Sequence, residues 1–496
     1  MKIFAKPSVA IPRRWRDMTC MRRVLKGQCL VILLFLLAGL SVTEAADWPT
    51  YRGNNTRTGN LTGDAGPVTA NVLWVHHAKD HFVGSLSTDG NAIYATGLGA
   101  FGTSAVYALS PEPGVEKRVL WSKVPPVLKL PIVSSISAAG GDLFFGDGMH
   151  QTDGAVLRCV TQEGQAVWQL TVPGELVHIE GAATVSAGKV FIGAGHAGVF
   201  CIDPSVFSLN GKEMSRSDAL KAVAEHHALL ATKYQTDLKK DPDFAIAPTE
   251  DQLIKPAPKV LWQQGKGQWH VDAPIAVEGD RVLVSTAYLD KEQKGKRALL
   301  CLKVSDGSLL WEVPLPANPW GGATIADGKV FVGCSTVGMY LNFINAAKGE
   351  VSAIDLSDGK IIWKKPVKAG VISPITIQNG LAIFTATDGK VRAFDANTGS
   401  SKWLYDGGAP FFAGLTTSKE IAYTADIKGI VHAINLIGGT SAWKLDMVSD
   451  PTIKLTPGGK VYGSPILHRG RLYLATCNIE SSDGGQRMAV VCIGEK

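Results

Sequence analysis

The sequence has no Cys-x-x-Cys and no Cys-x-x-Cys-His, so neither a zinc knuckle nor a covalently attached c-type haem is encoded. It has no apolar run of transmembrane length: the longest, Cys29 to Leu40, is about a dozen residues, below the roughly 20 that a spanning helix needs. It has no His-x-His pair of the close spacing that commonly marks a metal centre. It also lacks a basic face once its first 45 residues are set aside. These hold eight Lys/Arg and two Asp/Glu, so the formal +6 of 50 basic and 44 acidic residues becomes 50−8=42 against 44−2=42, a net of zero. Nucleic acid, which needs a basic surface, is therefore excluded as a partner.

The basic residues of the excluded segment have a reading of their own. Arg13, Arg14, Arg16, Arg22, Arg23 and Lys26 precede the short apolar run, and Ser41 to Ala45 follow it with Thr43 and Ala45 placed for a signal peptidase. That layout predicts a secretory signal over residues 1–45, and the strongly apolar core favours the general export route over twin-arginine export. Contact with a membrane is then expected only if the signal stays uncleaved. Cys159, Cys201, Cys301, Cys334, Cys477 and Cys492 remain after it, and packed thiols are the expectation, with a Cys477–Cys492 bridge the alternative.

What the chain has in abundance is one repeated phrase. In Leu381 to Trp403, LAIFTATDGKVRAFDANTGSSKW, two strand-like runs are parted by Asp388-Gly389, a second turn ends at Gly399, and Trp403 lies in a third run. VSAIDLSDGKIIW repeats it to Trp363, VHAINLIGGTSAW to Trp443, LLCLKVSDGSLLW to Trp311 and VLRCVTQEGQAVW to Trp168, always with glycine four residues before tryptophan. Looser copies end at Trp74, Trp121 and Trp262. Successive tryptophans are 47, 47, 94, 49, 52, 40 and 40 residues apart, the double step holding an insert. About four short strands per period of this size predict an all-β fold, a β-propeller of eight four-stranded antiparallel blades. After Trp443 only three strands follow, so the segment around Val72-Leu73-Trp74 is predicted to supply the fourth and close the ring. Ala353, Ala393, Ala433, Cys201, Cys301 and Cys492 share a column that demands a small buried residue.

The insert, residues 203–258, reads as a helix carrying Leu220, Val223, His227, Leu230, Tyr234 and Leu238 at helical spacing, with Ser217 as its cap and Lys239-Lys240 at its end. It replaces a turn on the face opposite the loops that lead into the inner strands, so a brace or docking surface is expected, not a lid.

The ending A-x-D-x-x-T-G-x-x-x-W of Ala393 to Trp403, with Asp47 to Gly59 (DWPTYRGNNTRTG) ahead of the first blade, resembles the PQQ-like (pyrroloquinoline-quinone) repeat family of secreted bacterial propellers. The resemblance covers residues 47–496, with 46–70 leading into ring closure. One branch of that family oxidises alcohols or sugars with PQQ and calcium in the central funnel; another consists of scaffolds such as the propeller lipoprotein of outer-membrane assembly. The large quinoprotein alcohol dehydrogenases carry adjacent cysteines against the cofactor, and this chain has none. The resemblance makes Trp74, Trp121, Trp168, Trp262, Trp311, Trp363, Trp403 and Trp443 structural docking residues.

Function in a propeller belongs to loops set on the rigid ring. The segments leading into the inner strands align as HFVGSLST, PIVSSISA, HIEGAATV, WHVDAPIA, NPWGGATI, AGVISPIT, PFFAGLTT and KVYGSPIL. Their leading positions hold His81, Phe82, His178, Glu180, Trp269, His270, Asp272, Trp320, Phe411, Phe412 and Tyr462. Glu180 and Asp272, from consecutive blades, are the candidate ligands of a hard cation and the candidate catalytic bases. Trp320 or Trp269 is a candidate stacking floor, His178 and His270 are candidate ligands, and Lys129 and Lys368 are candidate contacts for an anion. Ser285 to Ala298, Gly333 to Glu350 and Thr476 to Met488 read as long loops on the same rim, the second with an apolar tip at Met339, Tyr340, Leu341 and Phe343. Three readings follow: an exported, monomeric binding or scaffold propeller of the envelope, holding protein partners or a small-molecule or sugar ligand; a PQQ/calcium dehydrogenase of an alcohol or sugar; and a carbohydrate-binding or lyase-type propeller.

Overall fold

The computed structural model of the chain describes residues 47–60, 65–99, 104–122, 130–150, 152–249, 252–455, 459–479 and 488–496. The expected secretory signal over 1–45, Lys129 and most of the third rim loop lie outside the described residues.

Asp388-Gly389 and Asn397 to Gly399 do what their turn chemistry requires, and the sixth blade forms as Thr376–Gln378, Leu381–Thr385, Lys390–Asp395 and Ser401–Asp406 in an antiparallel meander. Seven further sheets repeat this order. The eighth consists of Ile466–His468, Arg471–Ala475 and Met488–Ile493, completed by Val72–Ala78 from the other end of the chain, with Trp74 opposite Cys492. The eight-bladed, N-terminally closed propeller read from the sequence is the fold.

One pairing recurs in every blade. Each repeat tryptophan faces a small residue on the third strand: Ala108–Trp121, Cys159–Trp168, Cys201–Trp262, Cys301–Trp311, Ala353–Trp363, Ala393–Trp403, Ala433–Trp443 and Cys492–Trp74. The indole then crosses to the next blade, where Nε1 donates to a backbone carbonyl: Trp403 to Leu436 at 2.9 Å, Trp363 to Ala396 at 3.0 Å, Trp311 to Leu356 at 3.1 Å and Trp443 to Pro67 at 3.1 Å. The core consequently lies between blades. Phe331, Val351 and Trp363 of the fifth pack on Ile375, Ala382 and Phe384 of the sixth. No disulfide joins Cys477 and Cys492; the six cysteines among the described residues are all buried thiols.

The insert leaves the third blade as an extension of Val199–Leu209, turns back through Lys212–Met214, and forms helix α1, Arg216–Lys240. Its cap is Ser215, not Ser217: Ser215 Oγ accepts from the Asp218 N–H at 3.2 Å, because the hairpin delivers the chain two residues earlier than the apolar spacing suggests. The helix packs on the outer strand of the second blade, Ala166–Pro173, through buried Ala219 and Val223. Pro256 O accepts from the Gln169 N–H at 2.9 Å, so the insert covers part of an edge strand.

Asp47 to Gly59 occupies the hub at one end of the channel. Inner strands are edges facing the axis, and their N–H groups need acceptors. Carbonyls of this segment supply them in turn: Trp48 to Thr88 at 2.8 Å, Pro49 to Ala138 at 2.7 Å, Asn55 to Val277 at 2.9 Å, Thr56 to Ile325 at 2.8 Å, Thr58 to Ile377 at 3.1 Å and Gly59 to Thr417 at 3.0 Å. Arg52 and Arg57 are buried with it. Arg57 reaches Ile275 O at 3.0 Å, Thr50 Oγ1 and Tyr51 O at 2.7 Å, Ala183 O at 3.2 Å and the Thr184 hydroxyl. Burial pulls the guanidinium of Arg57 down to about 9 and that of Arg52 to about 10.

Candidate functional site

The opposite end of the channel is lined by the segments leading into the inner strands, and their register follows from hydrogen bonds to the hub. Ala138, Val277, Ile325, Ile377 and Thr417 each donate to the plug, which makes them equivalent. Counting back five residues gives the mouth column Val133, Asp272, Trp320, Ile372 and Phe412, joined by Val83, Glu180 and Tyr462 of the remaining blades. The fourth and sixth segments are thus HVDAPIAV and GVISPITI, one residue later than the sequence alignment placed them. His178-Ile179-Glu180 and His270-Val271-Asp272 are consequently the same motif on adjacent blades. Ile179 and Val271 confirm it, for each presses against the glycine ending the second strand of the blade before, Gly146 and Gly193.

The column divides into two sectors. Ile372, Phe412 and Tyr462 are buried and pack with Val83, Trp320 and Ile427, and Leu341 and Ile344 of the long rim loop lie on top. The rings of Phe412 and Tyr462 are 5.2 Å apart. Met339, Tyr340 and Phe343 of that loop point outward, with Tyr340 and Phe343 more than 60% exposed. Ser285 to Ala298, by contrast, is not a loop: Arg281–Leu289 and Lys294–Lys303 extend into a long hairpin whose turn carries Glu292. Trp269 is not at the mouth. It precedes the repeated motif and packs in the core between the third and fourth blades, its ring against Gly265. Phe82 and Phe411 are likewise core residues, and Lys368 is exposed.

The polar sector belongs to the second, third and fourth blades. His178 and His270 are fully buried; His178 Nε2 is 2.8 Å from Asp272 Oδ1 and His270 Nε2 is 3.0 Å from Asp272 Oδ2. Glu180 Oε1 lies 4.0 Å from His178 Nε2. His150, from the loop after Asp142–Gly146, turns toward both, and the three imidazoles each offer a nitrogen within 4.8 Å of the others. Ring centroids are 5.1 Å apart for His178–His270, 5.7 Å for His150–His178 and 6.0 Å for His150–His270, and His196 stands 6.4 Å from His270. The cluster opens outward through His150 and Glu180, whose side chains are 34% and 31% exposed, with Glu292 3.7 Å from His150.

The carboxylates are driven in opposite directions. Burial alone would raise Asp272, but His270 and His178 outweigh it and hold this carboxyl well below the ordinary range. Burial first, and then the charge of Asp272, lifts Glu180 to about 7. Burial would lower His178, yet Asp272 and then Glu180 dominate and raise it. His150 and His196 are lowered by burial. The arrangement sets an ionised carboxylate beside a protonatable one, with imidazoles between, and such a set can bind a cation or move a proton.

The structure brings together His178, Glu180, His270 and Asp272, sets Trp320 on the adjacent fifth blade within the apolar sector, and removes Trp269. His150 and His196 escaped the sequence reading. Their signal was a glycine just ahead of each, Gly148-Met149-His150 and Gly195-His196, on successive blades after the second strand.

Comparison with known proteins bears on the fold as a whole. No curated protein matches the sequence. BamB from Moraxella catarrhalis is 14% identical, with a TM-score of 0.54 over 86% of this chain and 98% of its own. A europium-containing methanol dehydrogenase is 13% identical, with 0.60 over 87% and 89%. A quinohemoprotein alcohol dehydrogenase from Comamonas testosteroni is 14% identical, with 0.60 over 91% and 81%. At these identities the likeness shows the shared propeller alone. The family model described as outer membrane protein assembly factor BamB matches residues 63–221, 253–339 and 333–488, most of the propeller, and the chain belongs to that PQQ-like family.

Proposed function

We propose that the chain is an exported, monomeric binding or scaffold propeller of the cell envelope. The observation that carries this reading is the packing of the mouth. Six of its eight column positions are apolar or aromatic, and Ile372, Phe412, Tyr462 and Ile344 are buried against one another in the mouth. A flat tricyclic anion would have to displace them and then meet the ionised Asp272, which carries charge of its own sign. The residues present therefore do not fit PQQ, and the reading assigns no step to it. The exposed tip of Met339, Tyr340 and Phe343 on the same rim is the contact offered to a protein partner. The leader-like composition of residues 1–45 and the family membership agree with an envelope location.

Two measurements test the proposal together. Photo-crosslinking groups at Tyr340 and Phe343, with Ile437 as an exposed control, should yield discrete adducts in the envelope fraction from the first two positions alone. A thermal-shift titration with PQQ and Ca²⁺ should leave the melting temperature unmoved. A saturating shift that needs both ligands, followed by dye-linked oxidation of alcohols or sugars, would overturn the scaffold reading in favour of a dehydrogenase.

A further inference from the structure

We infer that His150, His178 and His270 form a binding site for one divalent transition-metal ion of the zinc class, with Asp272 and Glu180 as its carboxylates. The inference is independent of the scaffold reading.

Three observations carry it. The first is convergence. Four of the chain's eleven histidines, His150, His178, His196 and His270, gather from two kinds of loop on three blades, and a nitrogen from each of His150, His178 and His270 falls within 4.8 Å of the other two. Ligands bound at about 2.0–2.1 Å to a common ion stand roughly 3–4 Å from one another, so only a small inward movement is required. The second is the placement of Asp272. Its two oxygens meet Nε2 of both buried rings at 2.8 and 3.0 Å, and the His270 contact does not follow an N–H direction. One carboxylate held between two imidazoles either completes a coordination sphere or orients the rings for it. The Nδ1 atoms of His178 and His270 are also buried and find no hydrogen-bond partner among the described residues. The third is charge: Asp272 and Glu180 face the three rings, and two carboxylates there neutralise a dication.

The donor set decides the class of ion. Imidazole nitrogens favour Zn²⁺, Co²⁺, Ni²⁺ or Cu²⁺, whereas Ca²⁺ and Mg²⁺ require oxygen ligands in larger number. The hard cation expected from Glu180 and Asp272 alone is therefore replaced by a borderline one. The outward face between His150 and Glu180 leaves a coordination position for water or a small anionic ligand.

The full chain, freed of metal with a chelator, would be titrated with Co²⁺. One equivalent should give visible ligand-field bands of nitrogen-ligated cobalt, and one equivalent of Zn²⁺ should abolish them while Ca²⁺ does not. His150→Ala, at a partly exposed position, should weaken Co²⁺ binding by about tenfold or more while leaving the melting temperature of the metal-free protein unchanged. His178→Asn should abolish binding; should it fail to fold, His150→Ala decides alone. Absence of bands, a His150→Ala protein that binds as well as the parent, or displacement by Ca²⁺ at equal concentration would each overturn the site.

Discussion

At the scale of single residues, the repeat is an exchange between a tryptophan and a glycine on neighbouring blades. Gly439 has a φ of +67°, and a Cβ there would sit 2.6 Å from the Trp403 ring. Gly399 stands in the same relation to Trp363, and Gly359 to Trp311. The glycine that ends the turn is thus also the floor on which the preceding blade's indole lies, which explains the constant four-residue spacing to the next tryptophan. Gly439→Ala should be destabilising through both strain and displacement of the ring, whereas a glycine with open space above it, such as Gly438, carries only the strain of its φ of +80°. Trp403→Ala should cost about 3–5 kcal/mol by removing a buried indole and its hydrogen bond to Leu436. Urea unfolding of Gly438→Ala, Gly439→Ala and Trp403→Ala measures all three; equal losses for the two glycines would contradict the docking account.

At the scale of elements, the closure between the first and eighth blades holds a titratable contact. His81 Nδ1 accepts from the Asn478 N–H at 3.0 Å, the neighbouring Phe82 N–H donates to Thr476 O at 3.1 Å, and His81 pairs with Leu98 on its other side. An accepting Nδ1 requires a neutral ring, and burial lowers His81 below its ordinary value despite nearby Asp80. The sign follows directly. Unfolded His81 binds a proton more readily than folded His81, so its contribution is present above the unfolded value near 6.5 and is lost as the pH falls through it. The melting temperature should therefore drop more steeply between pH 7 and pH 5 in the parent than in His81→Asn, whose amide oxygen accepts the same bond without titrating. Parallel slopes in calorimetry would remove this role from His81.

At the scale of the whole molecule, the hub segment ties blades together that the tryptophans link only pairwise. Arg57 alone reaches carbonyls or hydroxyls of the third and fourth blades and of its own segment, and each of these acceptors is neutral. Converging backbone dipoles at the channel end take the place of a counter-ion. Arg57→Met removes five hydrogen bonds at once, leaving Ala183 O and Ile275 O to the hydroxyls of Ser137 and Thr184 but Tyr51 O without its donor, and should destabilise the protein by about 3–5 kcal/mol. Denaturant unfolding measures that cost, and a loss below 1 kcal/mol would show that water replaces the guanidinium.

Blade number, strand order, the closing strand and the docking tryptophans were legible in the chain because each is set by local chemistry repeated at a fixed period. Turn glycines, alternating apolar strands and an indole with a small residue opposite leave the same marks in every copy. The mouth was legible only by column, and the columns of the fourth and sixth segments slipped by one residue. That slip set Trp269 at the mouth and hid that His178 and His270 are the same position on adjacent blades. Glu180 and Asp272 were recognisable as a pair because polar residues stand out where other repeats carry apolar ones. His150 and His196 were not, since they lie on loops whose length the repeat leaves free. That Asp47 to Gly59 plugs the hub, that Leu341 and Ile344 seal one sector of the mouth, and that three histidines meet across two blade boundaries were decided by tertiary structure alone. Each depends on which residues ring closure brings to the axis, and separation along the chain does not encode that distance.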